Sequence, residues 1–254
     1  MSHLLHSEWV KITTTKLMWW MGIAAFLFGL LNLAVPLGIG MAVDDTIFND
    51  PEFVNALFTS TMSAALFALV LGIVAMTSEY RHNTIAPTYL ATPKRDRVLL
   101  AKTIVLAVLG AVIGALAYLA NVVIVFIVLA TKTHADVSFS IVLANLGWTV
   151  LGFALFAAIG VTLGALLRGQ ATAIVVAVVW LLVVEGIVAV IKPEIAKWFP
   201  GQALKSLSST DISLALTTEN PGYLPTLTAV VVLIAYVVVF GLAAALTTLR
   251  RDVT

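Results

Sequence analysis

Six long apolar stretches constrain what this chain can fold into. They cover about residues 17–43, 54–78, 99–130, 140–167, 170–191 and 226–249. A helix of about 20 apolar residues crosses the hydrocarbon core of a bilayer, which is about 30 Å thick. Because every backbone polar group inside lipid must be hydrogen-bonded, stretches of this length are predicted to be helices. The sequence therefore predicts an all-α polytopic membrane protein with six spans, organised as one transmembrane domain over residues 1–254.

The composition agrees with lipid as the solvent. Hydrophobic residues make up 61% of the chain and charged residues only 11%, whereas a soluble domain is about 25% charged. The first stretch is also longer than the apolar core of a cleaved signal peptide, about 7–15 residues, so we expect it to remain as a span. The absence of cysteine from the sequence excludes disulfides, thiolate metal sites and thiol nucleophiles.

The distribution of basic residues predicts the orientation. Six spans place both chain ends on one face, together with ten Lys and Arg residues: Lys11, Lys16, Arg81, Lys94, Arg95, Arg97, Lys102, Arg168, Arg250 and Arg251. The opposite face receives four: Lys132, Lys192, Lys197 and Lys205. Because short cytoplasmic loops carry an excess of Lys and Arg, we expect both termini to be cytoplasmic and the protein to lie in the inner (cytoplasmic) membrane of the cell.

The longest polar segment on the predicted cytoplasmic face connects spans 2 and 3. It reads "TSEYRHNTIAPTYLATPKRDRVLLAK" over residues 77–102. Ser78 is a candidate start for a short helix parallel to the membrane, which Pro87 would interrupt. Anchoring by positive charge explains the basic residues but not the length, since the other cytoplasmic connection is only "LRGQ" at 167–170. We therefore expect a docking surface for a partner, with simple anchoring as the alternative.

Glu185 is the one acidic residue well inside an apolar stretch. A carboxylate at membrane depth costs about 2.5–3.5 kcal/mol on insertion scales and is usually paired or functional. We expect a structural or gating role, with contact to a cationic substrate, or a shallow position near the outer interface, as alternatives.

The segment between spans 5 and 6, about residues 192–225, contains the amphipathic pieces "EIAKWF" and "LKSLSSTDISLAL". Both are too polar to span a bilayer and too apolar to be fully solvated. They predict interfacial or re-entrant helices, with an ordinary outer loop carrying two surface helices as the alternative.

Small and polar residues within the spans predict helix contacts. Gly-x-x-x-Gly occurs at 110–114 and 160–164 and favours close packing, with a dimer interface as the alternative. Asn32, Asn121 and Asn145 are candidates for hydrogen bonds between helices, with a solvated cavity as the alternative, and Pro36 marks a candidate kink.

Three segments together resemble a known family. Residues 77–102 contain Glu79, Arg81 and Thr84 in an E-x-R-x-x-T pattern, followed by Thr92, Pro93, Arg97 and Lys102. The N-terminal "HSEWVKITTTKLMWW" carries Glu8, Trp9, Lys11 and Thr13 before a Trp pair, and "WLLVVEGIVAVIKPEIAKWFP" covers residues 180–200. In this order they resemble permease subunits of bacterial ABC exporters of the type-two export family, in particular actinobacterial members. Asn83 stands where that family usually has glycine, and Pro87 is also unusual.

The resemblance implies a mechanism and its partners. An amphipathic connecting helix would carry Glu8, Trp9 and Lys11. A cytoplasmic coupling helix after span 2 would dock a separate ATPase subunit, with Glu79 and Arg81 at the contact, Arg97 in the following motif, and packing from Thr84, Ile85 and Tyr89. A second permease chain, identical or different, and two ATPase subunits would complete the exporter, whose substrate would be a hydrophobic or amphipathic drug, peptide or lipid.

The sequence contains no G-x-x-x-x-G-K-[ST] phosphate-binding loop. We therefore expect that the chain is not itself an enzyme and binds no cofactor, and that ATP and magnesium bind to the partner. The rival functions are an ion-driven secondary transporter, which favours paired intramembrane charges and matching halves, and a membrane protein of the immunity or structural type that transports nothing.

Overall fold

The computed structural model describes residues 2–43, 45–82, 95–132, 135–208 and 223–247, and these residues are helical with short connections and no strand. The helices are α1 (Ser2–Thr13), α2 (Lys16–Val43), α3 (Pro51–Thr59), α4 (Ala65–Arg81), α5 (Arg95–Leu129), α6 (Phe139–Leu167), α7 (Gln170–Val179), α8 (Glu185–Ile191), α9 (Pro193–Ala196), α10 (Pro200–Ser208) and α11 (Thr226–Leu246). Turns of 3₁₀ helix occupy Asp45–Asn49 and Ser60–Ala64, and a π turn occupies Trp180–Val184.

Six helical segments within the described residues are long and apolar enough to cross a membrane. Span 1 is α2 and span 2 runs from α3 through the second 3₁₀ turn into α4. Spans 3 and 4 are α5 and α6, span 5 comprises α7, the π turn and α8, and span 6 is α11. The prediction of an all-α protein with six spans is confirmed.

Spans 2 and 4 form the centre of the bundle. The share of the apolar window buried within the chain is 67% for span 2 and 61% for span 4, against 22%, 11% and 17% for spans 1, 5 and 6. Span 4 packs against spans 2, 3 and 6. The peripheral spans therefore present most of their apolar surface outward, as helices do when lipid or another membrane chain surrounds them.

Glycines set the separation of the central helices. Gly160 in span 4 faces Gly72 in span 2, and a Cβ on Gly160 would overlap the carbonyl oxygen of Leu69. Gly110 in span 3 lies against span 4 so closely that a Cβ there would stand 2.7 Å from the Phe153 carbonyl oxygen. Because only glycine allows backbones to approach this closely, both Gly-x-x-x-Gly motifs have a packing role within the chain.

Two of the three asparagines make the predicted bonds between helices. Asn121 Nδ2 in span 3 donates to the Leu57 carbonyl oxygen in α3 at 3.1 Å. Asn145 Nδ2 in span 4 donates to Asn55 Oδ1 at 2.8 Å. The prediction is wrong for Asn32, whose amide donates to the carbonyl oxygen of Phe28, one turn earlier in the same helix, at 2.8 Å.

The two ends of the bundle differ in their charged residues. The basic face is the one at which span 1 begins, with Lys16, Arg81, Arg97 and Arg168, and the opposite face carries Lys192 and Lys197. On the basic face α6 ends at Leu167 and α7 begins at Gln170, so the connection is as tight as its sequence predicts. Arg168 makes this turn with a positive φ of 57°.

The start of the connection between spans 2 and 3 differs from the prediction. Ser78 does not begin a separate helix, because α4 continues without a break through Arg81 and His82 caps it. The Ser78 hydroxyl donates to the Ala75 carbonyl oxygen within the same helix instead of capping a new one. No helix-breaking residue lies between Thr77 and Arg81, which explains the continuity. The rest of the predicted coupling helix, residues 83–94, lies outside the described residues.

The segment after span 5 folds back onto the bundle. Its helix α10 packs against spans 4 and 6. Ala203, Leu204 and Leu207 are buried, and the Ser206 side chain between them is buried as well. Its amphipathic sequence thus places an apolar side on the protein, and this helix is not a freely exposed surface helix.

Candidate functional site

A cluster of four charged side chains lies at the basic face, where α1 meets the end of α4 and the beginning of α5. We call Glu8, Lys11, Glu79 and Lys102 the charge cluster. Lys102 Nζ lies 2.5 Å from Glu8 Oε2 and 3.0 Å from Glu79 Oε1. Lys11 Nζ lies 2.7 Å from Glu8 Oε1 and 3.2 Å from the same Glu79 oxygen. Each ammonium therefore bridges both carboxylates.

Local helical geometry brings the four side chains together. Glu8 and Lys11 are three residues apart on α1, a spacing that places both on one side of a helix. Glu79 lies in the last turn of α4, and Lys102 lies two turns into α5. The packing of α1 onto α5 then closes the cluster.

Burial makes the pairing energetically important. Glu8 and Lys102 are each 1% exposed and Glu79 is 7% exposed. A buried charge is costly unless an opposite charge and hydrogen bonds compensate it, and removing one partner of a buried pair costs about 3–5 kcal/mol. The two carboxylates and two ammonium groups balance one another, which is why three helices can share this position.

The balance is incomplete at one atom. Glu79 Oε2 is buried and has no hydrogen-bond partner among the described residues. A hydrogen-bond network with one unsatisfied acceptor is less stable than a complete one. The free oxygen can also accept a further hydrogen bond without the loss of an existing one.

The neighbouring charges determine the protonation of the two α1 side chains. Burial raises the pKa of the Glu8 carboxyl, but the charge and hydrogen bond of Lys102, followed by those of Lys11, lower it by more, so that the net pKa lies below its ordinary value. Burial lowers the pKa of the Lys11 ammonium, but its hydrogen bond to Glu8 and the charge of Glu79 raise it by more. Both shifts favour the charged forms.

A pH dependence of stability follows from the lowered pKa of Glu8. A carboxyl with a folded pKa below its unfolded value of about 4.3 contributes stability above that value and loses it as the pH falls through the folded pKa. We expect the difference in melting temperature between the wild type and Glu8→Gln to be largest near pH 7 and to shrink toward pH 3. Thermal unfolding in one detergent across this range measures it. A difference independent of pH would contradict the charged pairing of Glu8.

The other residues predicted at this site are distributed around it. Arg81 is exposed, and its Nη1 donates to Gln170 Oε1 at the start of span 5 at 3.4 Å. Arg97 is exposed at the beginning of α5, and Trp9 is exposed on α1. Thr84, Ile85 and Tyr89 lie outside the described residues. The structure therefore joins Glu8, Lys11 and Glu79 and leaves Trp9, Arg81 and Arg97 at the surface around them.

Lys102 was predicted only as one of the basic residues of one face and as part of a family resemblance, and not as a member of the cluster. A signal was available, because a lysine that follows Val98, Leu99, Leu100 and Ala101 in an apolar run needs a partner.

Glu185 occupies a different position, next to the segment that follows span 5. It is 1% exposed. Its Oε1 accepts a hydrogen bond from the Gly201 backbone N–H at 3.1 Å, and its Oε2 accepts one from the Gln202 N–H at 3.0 Å. These groups belong to the first turn of α10, where backbone donors lack helical partners and favour an acceptor. Glu185 thus attaches α10 to span 5 directly after the π turn.

The sequence matches a known protein family. A family model described as "ABC-2 family transporter protein" matches residues 4–184. The matched region includes all four residues of the charge cluster and ends directly before Glu185. No curated protein matches the sequence.

Proposed function

This chain belongs to the ABC-2 transporter family, and from that premise we propose that it is the permease subunit of an ATP-driven exporter. Family membership makes it a multi-pass membrane protein that associates with an ABC ATPase. The proposal adds that two ATPase subunits, which bind ATP and magnesium, drive a hydrophobic or amphipathic substrate out of the cell through a pair of permease chains. In it the basic face is cytoplasmic and the membrane is the inner membrane.

The charge cluster is the observation that carries this proposal. Glu79 and Lys102 stand on the two helices that flank the connection between spans 2 and 3, and their ion pair is 3.0 Å long. Glu8 and Lys11 add the N-terminal helix to the same cluster. Separating these helices would leave buried charges without partners, at a cost of about 3–5 kcal/mol. A force on the connection would therefore move α1, α4 and α5 together.

Close packing supports transmission of that movement into the bundle. Span 2 contacts span 4 at Gly72 and Gly160, where the backbones touch. Close-packed interiors deform little and move as units between discrete arrangements. A displacement at the basic face would thus reach the centre of the bundle without being absorbed by loose side chains.

The surface around the cluster fits a docking role. Arg81 and Arg97 are exposed on either side of the connection. Arginine presents up to five N–H donors in a fixed geometry and suits an acidic or polar protein surface. In the proposed complex these residues contact the ATPase, and the connecting residues Thr84, Ile85 and Tyr89 pack against it.

The direct test replaces residues 83–92 by a Gly/Ser segment of equal length, which leaves Glu79 and Lys102 in place. The permease is co-expressed with the ABC ATPase encoded nearest to its gene and purified through a tag on the permease. We expect recovery of the ATPase to fall at least about tenfold, the equivalent of about 1.4 kcal/mol of binding free energy.

The matched control replaces residues 210–219, in the connection between spans 5 and 6, by the same segment and should leave ATPase recovery unchanged. Unchanged recovery after replacement of 83–92 would refute docking at this connection. Orientation has an independent test. A membrane-impermeant thiol reagent applied to intact cells should fail to label the Arg81→Cys variant. Labelling of this variant would place the basic face outside the cell.

A further inference from the structure

A cavity of about 440 Å³ lies among span 1, the 3₁₀ turn of span 2, span 5 and α10. Its volume falls within the range of about 300–1,000 Å³ that is typical of small-molecule sites. The cavity is well separated from the charge cluster. Its lining comes from the middle of α2 and from residues next to the π turn, whereas the cluster lies at the basic face. The cavity shares Glu185 and the first turn of α10 with the contact described above, and no residue with the charge cluster.

The lining is amphipathic. Phe28, Leu66, Phe156 and Leu181 provide an apolar wall. The polar lining consists of Asn32, Thr59, Ser60, Ser63, Glu185, Gln202, Lys205 and Ser208. A site of this kind accommodates a molecule with an apolar body and a polar group at one end.

The hydroxyl groups that line the cavity on span 2, and one amide N–H of Asn32 on span 1, donate within their own helices. The hydroxyl of Ser60 donates to the Leu57 carbonyl oxygen at 2.9 Å, and that of Ser63 donates to the Ser60 carbonyl oxygen at 3.1 Å. Thr59 and Asn32 donate in the same way to the carbonyl oxygens of residues three or four positions earlier. The three hydroxyl groups therefore retain mainly their capacity to accept hydrogen bonds, and Asn32 retains its amide oxygen and one N–H.

Glu185 adds the strongest acceptor. In its ionised form a carboxylate offers about four lone-pair sites. The two N–H groups of α10 occupy two of them, and the Trp180 side chain is a third hydrogen-bond donor to this group. Lys205, one turn further along α10, supplies a positive charge, but its side chain is exposed, whereas Glu185 is buried. The interior of the cavity is therefore rich in acceptors and holds its carboxyl group at depth.

We propose that this cavity binds an amphipathic molecule that carries a protonated amine. Its ammonium group donates to Glu185 and to the acceptors of span 1 and span 2, and its apolar part lies against Phe28, Phe156 and Leu181. The inference rests on the proposed function in that it defines the substrate class of the exporter, but binding itself requires only the permease chain.

The test compares two probes with one fluorophore. Dansylcadaverine ends in a primary amine, and dansyl-6-aminohexanoic acid ends in a carboxylate on a chain of the same length. Fluorescence titration of the full chain in zwitterionic lipid nanodiscs, with empty nanodiscs as the baseline, measures saturable binding. We expect the amine to bind at least about tenfold more tightly than the acid.

Variants locate the binding. Ser63 lines the cavity and its side chain is exposed to it, so Ser63→Leu should weaken amine binding at least about tenfold by filling the space. Ser140→Leu, the same change at the exposed start of span 4, should leave binding unchanged. Glu185→Gln should remove most of the preference for the amine, and Lys205→Met should preserve or increase it.

Each alternative outcome refutes a defined part of the proposal. Binding no stronger than to empty nanodiscs, or unaffected by Ser63→Leu, would exclude the cavity as the site. Equal binding of the two probes, or a preference for the acid, would exclude the amine. Because these measurements omit the ATPase, a permease that binds the amine but fails to recover the ATPase would retain this inference while losing the proposed docking.

Discussion

Replacement of Lys102 by methionine is expected to destabilise the protein by about 3–5 kcal/mol. Methionine preserves most of the length and the apolar character of the side chain, so the change removes mainly the ammonium group. Glu8 and Glu79, both buried, then lose the partner that lies 2.5 and 3.0 Å from them. Lys11 alone cannot compensate two carboxylates, and the attachment of α1 weakens with them.

Lys192→Met is the matched control, because Lys192 is exposed on the opposite face. Equilibrium unfolding in mixed detergent micelles gives the free energy of unfolding of the wild type and of both variants. A loss of less than about 1 kcal/mol for Lys102→Met, the value typical of exposed pairs, would show that the cluster contributes no more than a surface salt bridge. Glu79→Gln added to Lys102→Met should recover part of the loss, since it removes one of the charges left unpaired.

Replacement of Gly160 by alanine is expected to destabilise the bundle by about 1–3 kcal/mol, the usual cost of overpacking. The added Cβ meets the backbone of span 2 at Leu69 and Gly72, and backbone atoms cannot rotate away as the end of a side chain can. Spans 2 and 4 must therefore separate at the place where the bundle is most buried.

Gly147→Ala is the control on the same helix, because a Cβ at Gly147 meets nothing within 4 Å. Alanine is the better helix former by about 1 kcal/mol, so this variant should be neutral or slightly more stable. The two variants thus carry the same chemical change, but only Gly160→Ala is expected to destabilise the bundle. The same unfolding measurement gives the free energy of unfolding of both variants. Equal changes in that free energy would contradict close packing at Gly160.

The architecture was predictable from the sequence to within a few residues at most span ends. Hydrophobicity is a local property, and lipid leaves helices as the only possible form for such long apolar segments. The prediction was wrong at Ser78, where an uninterrupted helix continued past the end of the apolar run, and at Asn32, whose amide bonds within its own helix. Both errors concern the exact partner of a polar group, which a local pattern does not specify.

The candidate site was predictable only in part. Glu8, Lys11 and Glu79 were named through a resemblance, yet their mutual contact and the part of Lys102 in it were not. Residues 8 and 102 are 94 positions apart in the chain, and nothing in the spacing of either segment indicates that they meet. Glu185 stood out as an acidic residue in an apolar run, but its partners in α10 depend on how the segment after span 5 folds back.

The amino-acid sequence by itself determined that this chain is a membrane protein, how many times it crosses the membrane, and which face carries most of its positive charge. Each of these features depends on properties summed over single segments. Only the tertiary structure decided which charges pair at the basic face, which glycines bring two backbones together, and that α10 closes one side of an amphipathic cavity. Those features depend on the relative placement of segments far apart in the chain, and packing energies between whole helices establish that placement.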